Sequence, residues 1–312
     1  MTAPRTAIVG TGRVAQAFGR LLADAGIAPV AVAGRTAGHA HRAAVFIAGS
    51  GPPEEPASPK RAARTAGGHY DGLVVKPVLI RDVPALADRV LIAVADDAIT
   101  AVAEELARSG MRGGIALHTS GAHSPESLGA LAAQGVSCGV VHPLQTVADP
   151  DRGISALRGA SFGISGDAAA VEWAGQLVEA AGGTPLRIRE KGFASYHAGA
   201  VMASNAVIAA VDAAVGLFAA AGIERGAALQ ALRPLCLTSA QNAFEMGPEA
   251  ALTGPVQRGD ADTIRAHVAA LAGLPRPVAD LYRASARALV DIARRRGLSP
   301  ASAGAIEVAL EG

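Results

Sequence analysis

Short apolar runs alternate with amphipathic stretches over the first 190 residues, and after that only helical patterning remains. Ala7 to Val9 form an apolar run that ends on glycine, and a helical pattern from Gln16 to Ala25 follows until Gly26 stops it. Pro29 to Ala33 repeat the strand pattern and residues 39–48 the helical one. Further strands are predicted at Val74 to Ile80, Arg89 to Val94, Gly114 to His118, Cys138 to Val141, Ser161 to Ile164 and Thr184 to Ile188. Helices are predicted at Ala98 to Arg108, Ser127 to Gln134 and Ala168 to Ala181. This alternation predicts an α/β fold with a doubly wound, mostly parallel sheet. Beyond Lys191 the pattern gives helices alone, at 192–221, 224–245, 260–272, 276–296 and 299–311. Two domains are therefore expected, 1–190 and 191–312, with no internal repeat. A polar insertion rich in Gly and Pro interrupts the pattern from 49 to 72.

The first strand runs into Gly10-Thr11-Gly12-Arg13-Val14-Ala15. Gly10 allows a tight turn, Gly12 lets backbone approach a pyrophosphate, and Ala15 lets the helix pack closely on the strand. The amides of that helix N-terminus would face the phosphates. A lone G-x-G-x-x-A is a weak signal, but here it opens a strand–helix–strand unit, as dinucleotide binding requires. The second strand ends at Gly34-Arg35-Thr36, without the carboxylate that would hold a ribose 2′-hydroxyl. The Arg35 guanidinium suits a 2′-phosphate, and Thr36 adds a hydroxyl, so NADP(H) is expected rather than NAD(H).

Composition narrows the picture. The 312 residues are 50% hydrophobic but only 3% aromatic, so the cores are built from Ala, Val, Leu and Ile. A net charge of +1 without a basic, aromatic-rich stripe argues against a nucleic-acid partner. Cys138 and Cys236 are too few for a disulfide framework and fit a reducing compartment, and no signal peptide precedes the first strand, so a cytoplasmic protein is expected. Ala198 to Ile223 is long enough to imitate a membrane span. Its Ser204, Asn205 and Asp212, and its small residues, favour instead a helix buried in a helical core or a homodimer. Arg294-Arg295-Arg296 reads as a solvated helix end.

In a doubly wound sheet, ligands bind beyond the carboxyl ends of the strands. The fourth strand ends at Ala95, Asp96 and Asp97, the fifth at His118, Thr119 and Ser120, and the sixth at His142 and Gln145. Ala95, Asp96 and Ser120 are expected on the cofactor. His118 and His142 could exchange a proton with a substrate, or each could be a structural histidine. No metal-ligand spacing occurs. On the first helix of the second domain, His197 and Ser204 fall almost in line, with Asn205 beside them. They could meet a substrate or form a hydrogen-bonded domain interface. Asp260 is a natural N-cap, and Arg258 could anchor a substrate carboxylate.

Taken in order, Gly10-Thr11-Gly12-Arg13-Val14-Ala15, His118-Thr119-Ser120-Gly121, His142-Pro143-Leu144-Gln145, Tyr196-His197-Ala198-Gly199-Ala200, Ser204-Asn205 and Thr253-Gly254-Pro255-Val256-Gln257-Arg258-Gly259-Asp260 resemble a bacterial family that joins a Rossmann-like domain to domain of unknown function 2520. The resemblance covers nearly the whole chain except the insertion. It implies an NADP-dependent oxidoreductase of unassigned substrate, with a helical second domain like that of 6-phosphogluconate dehydrogenases. More distantly, the layout is similar to pyrroline-5-carboxylate reductases, prephenate dehydrogenases and β-hydroxyacid dehydrogenases, whose helical domain commonly dimerises. By likeness to the His-Pro turn of prephenate dehydrogenases, His142 would contact the reacting hydroxyl with Ser120 as its partner. β-Hydroxyacid dehydrogenases place a catalytic Lys four residues before an Asn. Here Val201 stands four residues before Asn205, so His142 or His197 takes its place. The sites expected to carry chemistry are thus His142, Ser120, His197 and Asn205. The substrate is a small carbonyl, imine or hydroxy compound, possibly a carboxylate. A non-catalytic NADP(H) sensor or scaffold on the same fold is the alternative. A deazaflavin-dependent reduction would need a groove for a second cofactor.

Overall fold

The computed structural model describes residues 4–49 and 73–312. All but Gly49 of the 49–72 insertion therefore lies outside the described residues. The chain forms two compact units, Met1–Val201 and Met202–Gly312.

The first unit is a Rossmann-type α/β layer structure. Its strands are β1 (Thr6–Val9), β2 (Ala31–Gly34), β3 (Lys76–Leu79), β4 (Arg89–Ile92), β5 (Ile115–His118), β6 (Ser137–Pro143), β7 (Ser161–Gly166) and β8 (Thr184–Arg187). They form one sheet in the order β3-β2-β1-β4-β5-β6-β7-β8. Every neighbouring pair is parallel except β6 and β7, where His142 faces Gly163 across an antiparallel ladder. The chain reverses its direction of travel across the sheet between β1 and β4, which opens a crevice at their carboxyl ends.

Successive side chains of a strand point to opposite faces. Ile8, Val32, Leu91, Leu117 and Val141 enter one apolar layer. Ala7, Val9, Ala33, Val90, Ile92 and Ala116 enter the other. The first layer is covered by α1 (Arg13–Asp24), α2 (Ala37–Ala48) and α6 (Ala168–Ala180), and the second chiefly by α3 (Ile99–Arg108). Burial on both faces is why these strands read as apolar runs rather than alternating ones. Ser127 to Gln134, expected as one helix, is a 3-10 turn over Pro125–Leu128 followed by the short α4 (Gly129–Ala132). One helix of this unit escaped the sequence pattern: α5 (Pro150–Leu157), which Asp149 caps by accepting the Arg152 amide at 2.8 Å, with Pro150 in its first turn.

A single helix over 192–221 was expected, and the structure corrects this. Here α7 (Phe193–Ala203) ends at Ser204, whose φ of −123° and ψ of −72° leave helical geometry, and α8 (Asn205–Ala220) starts afresh. Ser and Asn side chains compete with the helix for backbone hydrogen bonds, so the break falls at this pair.

In the second unit, α9 (Arg225–Met246) follows α8, then the short α10 (Pro248–Ala251) and α11 (Pro255–Arg258) lead to α12 (Ala261–Ala270), α13 (Arg276–Arg295) and α14 (Pro300–Glu311). The core lies in the last part, from Leu252, Val256, Ile264, Val268, Val290, Ile306 and Leu310. By contrast, α8 and α9 bury only Val215 and Ala228. Over Phe193–Ala220, one 18-residue window has a mean hydropathy of 1.8, and 6% of that window is buried. The expectation of a helix buried in a helical core therefore fails within the single chain. The residues are apolar, yet among the described residues most of them stay exposed.

Candidate active site

The glycine turn has the geometry a dinucleotide needs. Gly10 has φ +131°, and a β-carbon there would lie 2.0 Å from the Ala93 carbonyl oxygen at the end of β4. Only glycine allows the backbone to pass so close. The Gly10 amide donates to the Ala33 carbonyl at 2.9 Å, which ties the turn to β2. Gly12 is the N-cap of α1 and has no side-chain cap, and no described residue lies within 4 Å of where its β-carbon would be. The start of α1 is thus open beside Gly12, with no acidic residue in the first turn. That is a site for an anion. Ala15 is fully buried, as its place against the sheet requires. Thr11 packs its methyl over Gly34, Val14 is half-buried, and Arg13 donates to the Ala148 carbonyl at 3.1 Å.

At the end of β2, Thr36 is the N-cap of α2, and its hydroxyl accepts the His39 amide at 3.3 Å. Arg35 is exposed beside it and makes no ion pair among the described residues. The first turn of α2 contains no acidic residue. These residues fit a 2′-phosphate: a guanidinium, a hydroxyl with a proton to donate, and helix-start amides. Ala95 and Asp96 are exposed where β4 gives way to a 3-10 turn.

The loop after β5 is fixed by His118, which is fully buried. Its Nδ1 accepts the Ser120 amide at 3.2 Å, and its Nε2 lies 3.1 Å from the Ser124 carbonyl. A backbone amide can only donate, so the proton sits on Nε2 and is donated to Ser124. Burial pushes this imidazole down to about 4. His118 is thus a neutral, doubly bonded structural histidine, one of the two readings its sequence position left open. Ser120 is also buried, and its Oγ accepts the Ala122 and His123 amides at 3.2 and 3.3 Å. That leaves the hydroxyl proton free to be donated elsewhere. Gly121 follows, and a β-carbon on it would come within 2.8 Å of three atoms of the His142 ring.

His142 lies within β6, one residue before its end. Its Nδ1 shares a 2.9 Å hydrogen bond with the Tyr196 hydroxyl from α7. The two rings meet edge to face at 5.6 Å between centroids. Tyr196 reaches across β7 at Gly163, where a β-carbon would lie 2.6 Å from the phenol oxygen. Burial, and then the neighbouring His197, hold His142 at about 4, against an opposing pull from Asp96. Burial also pushes the Tyr196 phenol above its ordinary value, with a smaller opposing effect from a Gly163 backbone hydrogen bond. At neutral pH both groups are uncharged. The titration near neutrality expected of a histidine does not hold here, because burial strips the charged ring of part of its hydration.

His197 stands 6.3 Å from His142 between ring centroids, and its Nδ1 is buried with no hydrogen-bond partner among the described residues. The structure thus brings Ser120, His142 and His197 into one unit. Asn205 belongs to the second unit, at the start of α8, where its Oδ1 accepts the Ser204 hydroxyl at 3.0 Å. Arg258 is exposed at the end of α11. Sequence reasoning overlooked Tyr196 as the partner of His142, and Gly121 and Gly163 as the residues that make room for the pair. The signal was Tyr196 itself, a phenol beside a histidine on an otherwise apolar helix. Among the described residues no group of three or more His, Cys, Asp or Glu is placed to hold a metal ion.

Residues 160–289 match the family described as Domain of unknown function (DUF2520). No curated protein matches the sequence. Protein TM1727 from Thermotoga maritima has a similar structure, with TM-score 0.67 at 20% identity over 93% of this chain and 99% of its own. A provisionally assigned NADP oxidoreductase from Bacteroides fragilis gives TM-score 0.66 at 19% identity, over 92% of this chain and 98% of its own. A reductive aminase from Aspergillus terreus, solved with NADPH and ethyl levulinate, gives 0.58 at 18% identity, over 98% and 99%. The match bears out the family resemblance read from the motifs, and the structural likenesses bear out the fold.

Proposed function

We propose that this chain, whose residues 160–289 match the DUF2520 family, is an NADP(H)-dependent oxidoreductase acting on a small carbonyl, imine or hydroxy compound. The observation that carries the proposal is the His142–Tyr196 pair, placed with Ser120 at the carboxyl end of the sheet that bears the Gly10 turn. When bound, the nicotinamide supplies or takes the hydride. Gly10 to Ala15 would hold the pyrophosphate, Arg35 and Thr36 the 2′-phosphate, and Ala95, Asp96 and Ser120 the nicotinamide end.

The chain's own residues handle the proton. A neutral imidazole and a neutral phenol together carry two exchangeable protons, whichever tautomer His142 adopts. In the reductive direction the pair delivers one to the substrate oxygen or nitrogen as the adjacent carbon is reduced. In the oxidative direction it receives one back. The Ser120 hydroxyl donates a hydrogen bond to the same heteroatom. His197, whose buried Nδ1 has no hydrogen-bond partner among the described residues, orients the substrate. The free thiols Cys138 and Cys236 fit a reducing, cytoplasmic setting. The assembly is a homodimer with no nucleic-acid or membrane partner.

The test is His142→Gln. NADPH affinity stays within about twofold, because the phosphate contacts lie elsewhere. Turnover of a screened carbonyl or imine falls by about 10²- to 10⁴-fold, the usual share of general acid–base catalysis. Full activity in the variant would transfer the role to His197.

A further inference from the structure

We propose that His118 is a positioning residue: clamped between the Ser120 amide and the Ser124 carbonyl, it holds the 118–124 loop so that Ser120 presents its hydroxyl proton and Gly121 seats against the His142 ring. The proposal rests on the oxidoreductase reading only where turnover is read, since the geometry stands without it.

Three observations join. The His118 ring is fully buried, and both nitrogens are engaged, one accepting and one donating. A neutral Nε2–H imidazole satisfies both partners, whereas a protonated ring would set a second N–H against the Ser120 amide. Between the two anchor points, Ser120 Oγ accepts the Ala122 and His123 amides, which closes the loop on itself. At the loop's centre Gly121 touches His142 so closely that even a methyl group would overlap the ring. His118 therefore acts on His142 through one turn of backbone, beside the direct influence of its own ring, which with His197 lowers the His142 titration while Asp96 raises it. Loss of the clamp frees Gly121 to lift, exposes the half-buried His142 ring to more water, and misplaces the Ser120 hydroxyl. Burial is the main reason His142 titrates low, so hydration moves its titration upward toward the ordinary histidine value.

The experiment uses the full-length protein with ¹⁵N-labelled histidines. In the wild type, His118 must show the Nε2–H tautomer with no titration between about pH 5.5 and 8. In His118→Phe, which keeps a flat ring but neither hydrogen bond, the His142 titration rises. NADPH affinity stays within about twofold, and kcat falls at least about tenfold with the KM for NADPH unchanged. In His118→Asn, whose amide oxygen still accepts from Ser120, part of kcat returns and the His142 shift is smaller. A His118 protonated on Nδ1, or titrating near its ordinary value, overturns the proposal. So does a folded variant that leaves both kcat and the His142 titration unmoved. If His118→Phe fails to fold, the wild-type tautomer and His118→Asn decide the question. A raised His142 titration in a protein that turns over no substrate supports the clamp and counts against the oxidoreductase reading.

Discussion

Arg35 and the triplet Arg294-Arg295-Arg296 show how far a single residue can be read from its neighbours in sequence. Arg35 follows an apolar strand of fixed length, so its place beside Thr36 at the start of α2 was legible. A charge-assisted hydrogen bond contributes roughly 1.5–3 kcal/mol net, so Arg35→Ala should weaken NADPH binding by about 10- to 100-fold. NADH binding should barely change, which titration of both cofactors against both proteins will check. The triplet was legible only in part. It is the exposed helix end that was expected, but it also secures α13 to distant chain. Arg294 pairs with Glu307 at 2.7 Å, and Arg295 with Glu249 at 2.8 Å. Arg296 donates to the Leu252 carbonyl at 2.7 Å and to those of Glu249 and Ala250. Nothing local in the sequence says which carbonyls a long side chain will find. The N-cap at Asp260, by contrast, depends on residues only three apart and was legible: its Oδ1 accepts the Thr263 amide at 3.0 Å.

Among the elements, the strands and long helices follow from apolar period, because burial on both faces of a parallel sheet leaves an unmistakable run. The antiparallel return of β7 does not, since direction is set by the connection through α5 rather than by any pattern within the strand. That return matters for the site. It places Gly163 opposite His142 and so opens the gap through which Tyr196 reaches the imidazole. Gly163→Ala should therefore separate the pair at small cost to the fold, because the new methyl meets the ends of two side chains, Tyr196 and Ile188, rather than backbone. Turnover should drop while NADPH binding persists. A variant with unchanged turnover would show that the Tyr196 contact is dispensable. Histidine pairing of this kind depends on two residues 54 positions apart on different elements, which is why the sequence suggested His142 but not its partner.

For the whole molecule, two consequences follow from what is buried and what is not. His118 and His142 both titrate near 4 in the fold, below the ordinary 6.5. Between those values the unfolded chain binds protons that the folded chain refuses. Stability is thus complete above about pH 6.5 and falls as pH drops toward 4, by up to about 1.4 kcal/mol per pH unit for each histidine. Denaturant titrations across that range measure the slope, and His118→Asn should shallow it. The second consequence concerns α8 and α9. Ile208, Leu235, Leu237 and Phe244 are 60 to 87% exposed, a degree unusual for one folded surface. A homodimer that covers them is expected, and light scattering at micromolar concentration that gave only a monomer would exclude it.

The most direct test is a crystal structure of the protein with NADP⁺ bound. The account predicts pyrophosphate on the first amides of α1, the 2′-phosphate on Arg35 and Thr36, and the reactive nicotinamide carbon facing the His142–Tyr196 pair and Ser120. A nicotinamide that points away from this pair, with both histidines remote from the reactive carbon, would contradict it and leave a protein that binds the dinucleotide without using it.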